Sequence, residues 1–226
     1  MCLCRREGHI RRMRESRING SRGLWNDGES RYGIVKIVRK GIKIVDMIDN
    51  KAKQILEATF RDALEMLGLP PLPYTFCYEK IGQRFQTMDN AEEVDNVNRI
   101  VYINEDWANK MVKVFVYDLF YMMAHEARHV YQEIIIQQFQ RRQPAKENEA
   151  LIVSWVDNKQ NYIRNEGDAT VRLYHRQPLE VDADAFANFY VLAKGIGEAR
   201  VPQDSDELVT QRLKEIAVQF GVRISE

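Results

Sequence analysis

The stretch YMMAHEARHVYQ, residues 121–132, lies in a segment from Val112 to Gln143 that contains no Gly or Pro. Apolar residues recur there every three or four positions, which predicts a helix with a buried face. His125 and His129 are four positions apart, so a helix places both imidazoles on the same face. The segment therefore predicts a long buried helix that presents two histidines side by side.

Glu126 completes an H-E-x-x-H pattern in a chain that has only four histidines. Two histidines at this helical spacing can bind one zinc ion, and the glutamate beside them can serve as the general base of a metal-dependent hydrolase. We therefore predict His125 and His129 as metal ligands and Glu126 as the catalytic base. The alternative is a buried amphipathic helix whose histidines only form hydrogen bonds.

Arg128 occupies a position of the motif that is ordinarily uncharged. We expect its side chain to point away from the two histidines and to pair with a nearby carboxylate, for which Asp182 and Asp184 are the candidates. A solvated arginine at the edge of the helix is the alternative. In either case the predicted metal site stays open.

A third metal ligand is needed, because a catalytic zinc takes three protein ligands and keeps one position for water. The metzincin pattern H-E-x-x-H-x-x-G-x-x-H is excluded, since Gln132 and Ile135 stand where its Gly and its last His would be. The search for the third ligand therefore moves further along the chain.

A second helix is predicted over PLEVDADAFANFY, residues 178–190, with Pro at its start and acidic residues in its first turn. Glu180 and Asp184 are four positions apart and share one face. Ala183 and Ala187 are small enough to let this helix approach the first one closely. Asp182 is explained as a solvated residue of the first turn.

The two helical motifs together resemble a gluzincin site, and the string E-x-D-A-D-x-F-A from Glu180 to Ala187 resembles a stretch of the ImmA/IrrE-like metallopeptidases. The resemblance covers these two motifs only. It implies Glu180 as the third ligand of one zinc ion per chain, and Asp184 as a residue that hydrogen-bonds a ligating histidine. It also implies zinc-dependent peptide-bond hydrolysis, with Glu126 as general base, on a specific intracellular protein substrate.

Alternatives stay open at this point. The third ligand could instead be Asp184, Asp182 or His175. An SprT-like protease that acts on DNA-associated proteins would need a third histidine, which His175 would supply. A protein of another class, a catalytically silent metal-binding regulator, would keep the metal and hydrolyse nothing, although such a site does not need Glu126.

Residues 145–177 form a long connection or lid between the two predicted helices, and long connections are often functional. Peptide hydrolysis needs a hydrogen-bond donor for the developing oxyanion. Four donors occur here: Tyr162, Arg172, Tyr174 and His175. We include Tyr174 and His175 among the predicted catalytic residues.

The charge of the chain is uneven, although its formal net charge is zero. Residues 1–45 contain twelve Lys and Arg against four acidic residues, so the remainder carries the opposite excess. We expect a poorly ordered basic arm over residues 1–31, which either contacts nucleic acid or is simply solvated. Residues 32–226 are predicted to form one domain. Three cysteines and no apolar leader favour a cytoplasmic protein without a membrane partner.

The order of predicted elements favours an α+β, zincin-like fold. A helix over Asp46–Leu67 is followed by strands at Tyr74–Glu79, Arg84–Thr87 and Arg99–Asn104, and an earlier strand is expected at residues 32–39. The small mixed or antiparallel sheet packs on the motif helix, and a mainly helical C-terminal part follows. By resemblance, Arg84–Thr87 or Arg99–Asn104 would be the edge strand that binds substrate backbone.

Overall fold

The computed structural model describes residues 44–88, 91–164 and 168–222. The predicted basic arm at residues 1–31 and the predicted strand at residues 32–39 lie outside this range. Within it, three strands and seven α-helices form an α+β fold, as predicted. The C-terminal part is mainly helical, which is also confirmed.

The first helix, α1, runs from Ile44 to Met66 and agrees with the predicted span. Its end is set by Gly68, whose φ of 70° is favourable only without a Cβ, and the N–H of Leu69 closes the turn on the carbonyl of Leu64 at 3.1 Å. Two consecutive prolines follow and prevent continuation. The apolar stripe of α1 is buried at Ala52, Leu56, Phe60, Ala63 and Leu64, and Leu67, just after the helix, is buried as well.

The sheet is small and mixed. Its strands are β1 (Thr75–Glu79), β2 (Glu92–Asp95) and β3 (Ile100–Asn104), in the order β1-β3-β2. The central strand, β3, is parallel to β1 and antiparallel to β2. Val101 and Ile103 of β3 are completely buried, so this strand carries the apolar face of the sheet towards the helices.

Two strand predictions were wrong. Residues 84–87 form a loop, because Phe85 is buried as an anchor and the guanidinium of Arg84 lies on the ring of Tyr102 instead of joining a ladder. The predicted edge strand at residues 99–104 is central. The edges are β1 and β2, and β2 is an acidic segment that the sequence places in a polar loop. Arg84 pairs with Glu93 of β2 at 2.8 Å and offsets part of its charge.

The segment that carries the histidines contains two helices instead of one. The first, α2 (Glu105–Val114), begins at Asn104, whose side chain accepts a hydrogen bond from the N–H of Trp107. The second, α3 (Val116–Gln140), contains the H-E-x-x-H motif. Phe115 breaks the helix with φ −149° and ψ 72°, although neither Gly nor Pro is present. Its ring packs under the guanidinium of Arg200, a contact that only the tertiary structure provides.

The remaining elements are helical. They are α4 (Glu149–Gln160), α5 (Asp168–His175), α6 (Pro178–Ala193), a short 3-10 turn (Gln203–Ser205) and α7 (Asp206–Gln219). The predicted connection at residues 145–177 thus contains α4 and α5. In the described part of the chain, no helix combines the length and the apolar character that a membrane span requires.

Helix α6 begins at Pro178, as predicted, and packs against α3 in the centre of the molecule. Ala183 and Ala187 are completely buried, which fits the expectation that small residues allow close approach of the two helices. Helices α1 and α7 pack on the outer sides of this pair. The acidic face of α6 is therefore brought directly against the histidines of α3.

Candidate metal centre

The two motif histidines face each other inside the molecule. His125 and His129 are 2% and 7% exposed, and their Nε2 atoms lie 3.0 Å apart. The spacing of four residues on α3 places the rings on one face, as predicted. Whether each Nε2 has a lone pair for a metal ion depends on the hydrogen-bond partner of the other ring nitrogen.

The Nδ1 atom of His125 lies 3.0 Å from Oδ1 of Asp184, a residue of α6. The hydroxyl of Tyr121, one turn before His125 on α3, donates to the same oxygen at 2.6 Å. An ionised carboxylate only accepts hydrogen bonds, so Nδ1 of His125 carries a proton. Asp184 thus contacts His125, in the position that the resemblance implies for it.

The Nδ1 atom of His129 lies 2.7 Å from Oε1 of Gln132. The amide orientation of Gln132 is defined, because its Nε2 donates to the carbonyl of Leu179 at 3.0 Å and to Oδ2 of Asp182 at 2.7 Å. Its oxygen therefore faces the histidine and accepts the proton on Nδ1. Gln132 had no predicted role, although its position three residues after His129 is a helical neighbour and could have suggested one.

Both Nε2 atoms consequently present lone pairs to the same small space when the rings are neutral. Glu180 of α6 adds negative charge there: Oε1 lies 3.4 Å from Nε2 of His129, and Oε2 lies 3.5 Å from Nε2 of His125. This arrangement is electrostatically favourable only if a positive charge, a proton on one ring or a metal cation, lies among these atoms.

Glu180 is held by two tyrosines. Tyr162 donates to Oε1 at 2.7 Å, and Tyr174 donates to Oε2 at 2.6 Å. Burial raises the pKa of Glu180, but the histidines and the hydrogen bonds from His125 and Tyr174 outweigh it and lower the pKa to about 2. The carboxylate is therefore ionised and oriented for a cation.

The donor set fits a metal ion. His125, Glu126 and His129 each offer a ligand atom, and these atoms lie within 4.8 Å of one another. A tetrahedral zinc ion with bonds of about 2.0–2.1 Å separates its ligand atoms by about 3.3 Å. The distances among the two Nε2 atoms and the nearest oxygens of Glu180 are 3.0, 3.4 and 3.5 Å. Glu180 thus lies close to both histidines, with a different carboxylate oxygen nearest to each Nε2 atom.

Glu126 lies beside this cluster and is 1% exposed. Burial is the largest influence on its carboxyl group and raises the pKa, against the opposing effect of His129 and His125. A carboxylate with a raised pKa is suited to accept a proton and to return it. Its position next to the histidine pair is the one predicted for a general base.

A cleft of about 370 Å³ opens onto Glu126 and His129. One wall contains Val94 of β2 and Asn96, which immediately follows that strand, so the sheet edge runs along the cleft. The cleft is lined by Val94, Asn96, Glu126, His129, Gln132, Glu133, Ile136, Lys159, Gln160, Tyr162, Arg164 and Leu179.

The predicted residues of the 145–177 connection are distributed unequally. Tyr162 lies at the cleft and reaches Glu180, whereas Tyr174 reaches Glu180 from a buried position. His175 packs against the ring of Tyr174 with centroids 5.2 Å apart, and neither His175 nor Arg172 lines the cleft described above. Of these four residues, Tyr162 alone both lines the described cleft and contacts Glu180.

Asp182 is not a solvated residue, so that expectation was wrong. It is 1% exposed and pairs with Arg128 at 2.7 Å and with Arg212 of α7 at 2.8 Å. Arg128 therefore has one of its two predicted partners and is not solvated. Burial raises the pKa of Asp182, but the two arginines outweigh this effect and lower the pKa. The partner on α7 was not foreseeable from spacing, because it lies thirty residues further along the chain.

Comparison of the chain with protein-family models, with curated proteins and with solved structures gives no match. The gluzincin assignment thus remains a resemblance carried by two motifs. What the structure establishes is a buried cluster of His125, Glu126 and His129 that could hold a metal ion.

Proposed function

We propose that this protein is a zinc-dependent peptidase of gluzincin type. One observation carries the proposal: two histidine Nε2 atoms and a carboxylate converge at 3.0–3.5 Å, next to a buried glutamate at the bottom of an open cleft. In this proposal His125, His129 and Glu180 hold the zinc ion. A site of this composition with an accessible side is typical of catalytic zinc, whereas structural zinc sites are closed by Cys or His.

Bound zinc would supply Lewis-acid activation of water and of the scissile carbonyl. Glu126 is the proton carrier: it accepts a proton from the attacking water and delivers it to the leaving amine. Its burial supports this role, because a raised pKa brings the carboxyl group closer to the pH at which it must both take up and release a proton.

Tyr162 is the proposed donor to the oxyanion. Its hydroxyl lies at the cleft, 2.7 Å from Oε1 of Glu180. A phenolic hydroxyl can turn about its bond to the ring, so it can redirect its hydrogen from the carboxylate to a substrate oxygen that enters beside it. Tyr174 stays on the buried side of Glu180 and orients that ligand.

The outer position of β2 in the sheet supports a peptide as substrate. Among the described residues, β2 pairs only with β3, and its buried residue Val94 lines the cleft. An extended peptide can add to such an edge as a further strand. This places a scissile bond over Glu126 without requiring a deep pocket for each side chain.

The test combines metal content with cleavage. Elemental analysis should show one zinc per chain in the purified wild type. Glu180→Ala should have lost the zinc. The zinc-loaded protein is then incubated with a diverse peptide library, and Glu126→Gln serves as the matched control for contaminating proteases. Cleavage by the wild type alone supports the peptidase; zinc without any cleavage supports a silent metal-binding protein instead. A wild type that binds no metal ends the proposal.

A further inference from the structure

We infer that Arg212 and Arg128 are positioning residues of the metal centre, and that they act on His129 through Asp182 and Gln132. The inference rests on the proposed zinc binding and adds to it a dependence on the C-terminal helix α7. Arg212, Arg128 and Asp182 do not line the cleft, whereas Gln132 does.

The contacts form a continuous chain. Asp182 accepts hydrogen bonds from Nε and Nη2 of Arg128 at 2.7 and 3.0 Å, and from Nε of Arg212 at 2.8 Å. It also accepts one from Nε2 of Gln132 at 2.7 Å. The oxygen of Gln132 then lies 2.7 Å from Nδ1 of His129. Three side chains, Arg212, Asp182 and Gln132, thus connect α7 to a proposed zinc ligand, and Arg128 supports Asp182 from the side.

The orientation of the Gln132 amide decides which nitrogen of His129 can bind metal. A primary amide has an accepting oxygen on one side and a donating NH2 group on the other. If it were turned round, the NH2 group would face Nδ1, and the proton of the neutral ring would move to Nε2. The lone pair that faces Glu180 and His125 would then be lost. A partner that accepts from Gln132 prevents this reversal.

Asp182 is that partner, together with the carbonyl of Leu179. Its carboxylate is 1% exposed and is held in place by hydrogen bonds from both arginines. The arginines are held in turn by Glu147, at 2.9 Å from Arg128 and 3.5 Å from Arg212, and by Glu215, at 2.9 Å from Arg212.

A stabilising function alone explains this cluster poorly. Buried ion pairs stabilise a fold no better than well-packed apolar side chains of the same volume, because their desolvation offsets their attraction. What they provide is a defined arrangement of donors and acceptors. Here the defined element is an amide in direct contact with a histidine of the metal centre, so the cluster sets the geometry of that histidine.

The experiment measures zinc affinity by competition with a chromophoric chelator. The proteins are the full-length wild type, Gln132→Met, Arg212→Met and the double variant. Gln132→Met should weaken zinc binding about 10- to 100-fold, as loss of a hydrogen-bond partner of a ligating histidine does, and Arg212→Met should weaken it about tenfold. The double variant should bind no more weakly than Gln132→Met, because both changes interrupt one path.

Two further readouts separate positioning from folding. The Co²⁺-substituted protein reports ligand geometry through its visible absorption, which should change in the same direction in both single variants. Urea unfolding of the metal-free proteins shows whether each variant is folded at the temperature of the titration. Arg61→Met is the matched control, because that arginine is exposed on α1 and contacts Glu57 and the ring of Phe76, neither of which belongs to the metal centre.

The inference is overturned if folded Arg212→Met binds zinc within about twofold of the wild type, or if the losses of the two single variants multiply in the double variant. If Arg212→Met does not fold, Arg212→Lys, which keeps the charge but lacks the guanidinium fork, is judged by the same twofold limit. A wild type that binds no zinc would refute the proposed function itself, a result distinct from either of these.

Discussion

The hydroxyl of Tyr162 donates a hydrogen bond of 2.7 Å to Oε1 of Glu180, while Tyr174 donates to the other oxygen of the same carboxylate. Tyr162 precedes α5 and lines the cleft, whereas Tyr174 lies near the end of α5 and is 2% exposed. The two tyrosines therefore donate similar hydrogen bonds to one proposed zinc ligand, Tyr162 from the cleft and Tyr174 from the buried interior. Substitution of each should therefore have a different effect.

Tyr162→Phe should lower turnover about 100-fold, because it removes the hydroxyl proposed to stabilise the oxyanion. Tyr174→Phe should instead weaken zinc binding about tenfold, since it loosens Glu180 without reaching the substrate. Each variant is the control for the other. The measurements are steady-state cleavage of a library-derived peptide at saturating zinc, and zinc affinity by chelator competition. Equal loss of turnover in both zinc-saturated variants would contradict the assignment.

Glu126→Gln should retain one zinc per chain and lose about 1000-fold in turnover. Glutamine has nearly the same shape as glutamate but cannot accept a proton from water, and general base catalysis contributes on this scale. Zinc content is measured by elemental analysis, and cleavage is followed by mass spectrometry. Full activity in a zinc-loaded Glu126→Gln protein would remove the role of base. Loss of zinc would show that Glu126 is itself a ligand.

Asp184→Asn should weaken zinc binding about 10- to 100-fold, because a neutral amide is a poorer acceptor for Nδ1 of His125 than a carboxylate. Tyr121→Phe removes only the second hydrogen bond to the same oxygen and should have a smaller effect. Calorimetric titration with zinc compares the two variants. An unchanged affinity in Asp184→Asn would show that the orientation of His125 is set elsewhere.

The stability of the metal-free protein should decrease in acid, partly through Glu180. Its folded-state pKa of about 2 is below the ordinary value of 4.5, so the unfolded state binds more protons between these limits. The stabilisation from this group is therefore complete above pH 4.5 and is lost as the pH falls towards 2.

Urea unfolding at several pH values measures this effect. Glu180→Gln, which has no titrating carboxyl group at this position, should show a shallower decrease in unfolding free energy over the same interval. A variant with the same pH dependence as the wild type would contradict the assigned pKa.

Several features of the fold and site were predictable because they depend on local spacing. The helical repeat predicts α1, and Pro178 predicts the start of α6. The i, i+4 spacing of His125 and His129 predicts that they share a face. The break at Phe115 was not predictable, since neither Gly nor Pro stands there to stop a helix.

The edge strand β2 likewise could not be predicted from local sequence. Residues 92–95 are mostly acidic and have low strand propensity, yet they form β2 because β3 offers a ladder and Arg84 pairs with Glu93. A propensity argument favours residues 84–87 instead. The strand that borders the cleft was therefore decided by its pairing with β3 and by Arg84, which strand propensity does not reveal.

The sequence by itself determined that two histidines and a glutamate lie together on one helix, since helical spacing is a property of neighbouring residues. Only the tertiary structure decided which carboxylate faces them, which nitrogen of each ring carries a proton, and that Arg212 of α7 reaches Asp182. These features arise where α3, α6 and α7 pack together. Hydrogen bonds and ion pairs act over a few ångströms in space, and distance along the chain does not reveal them.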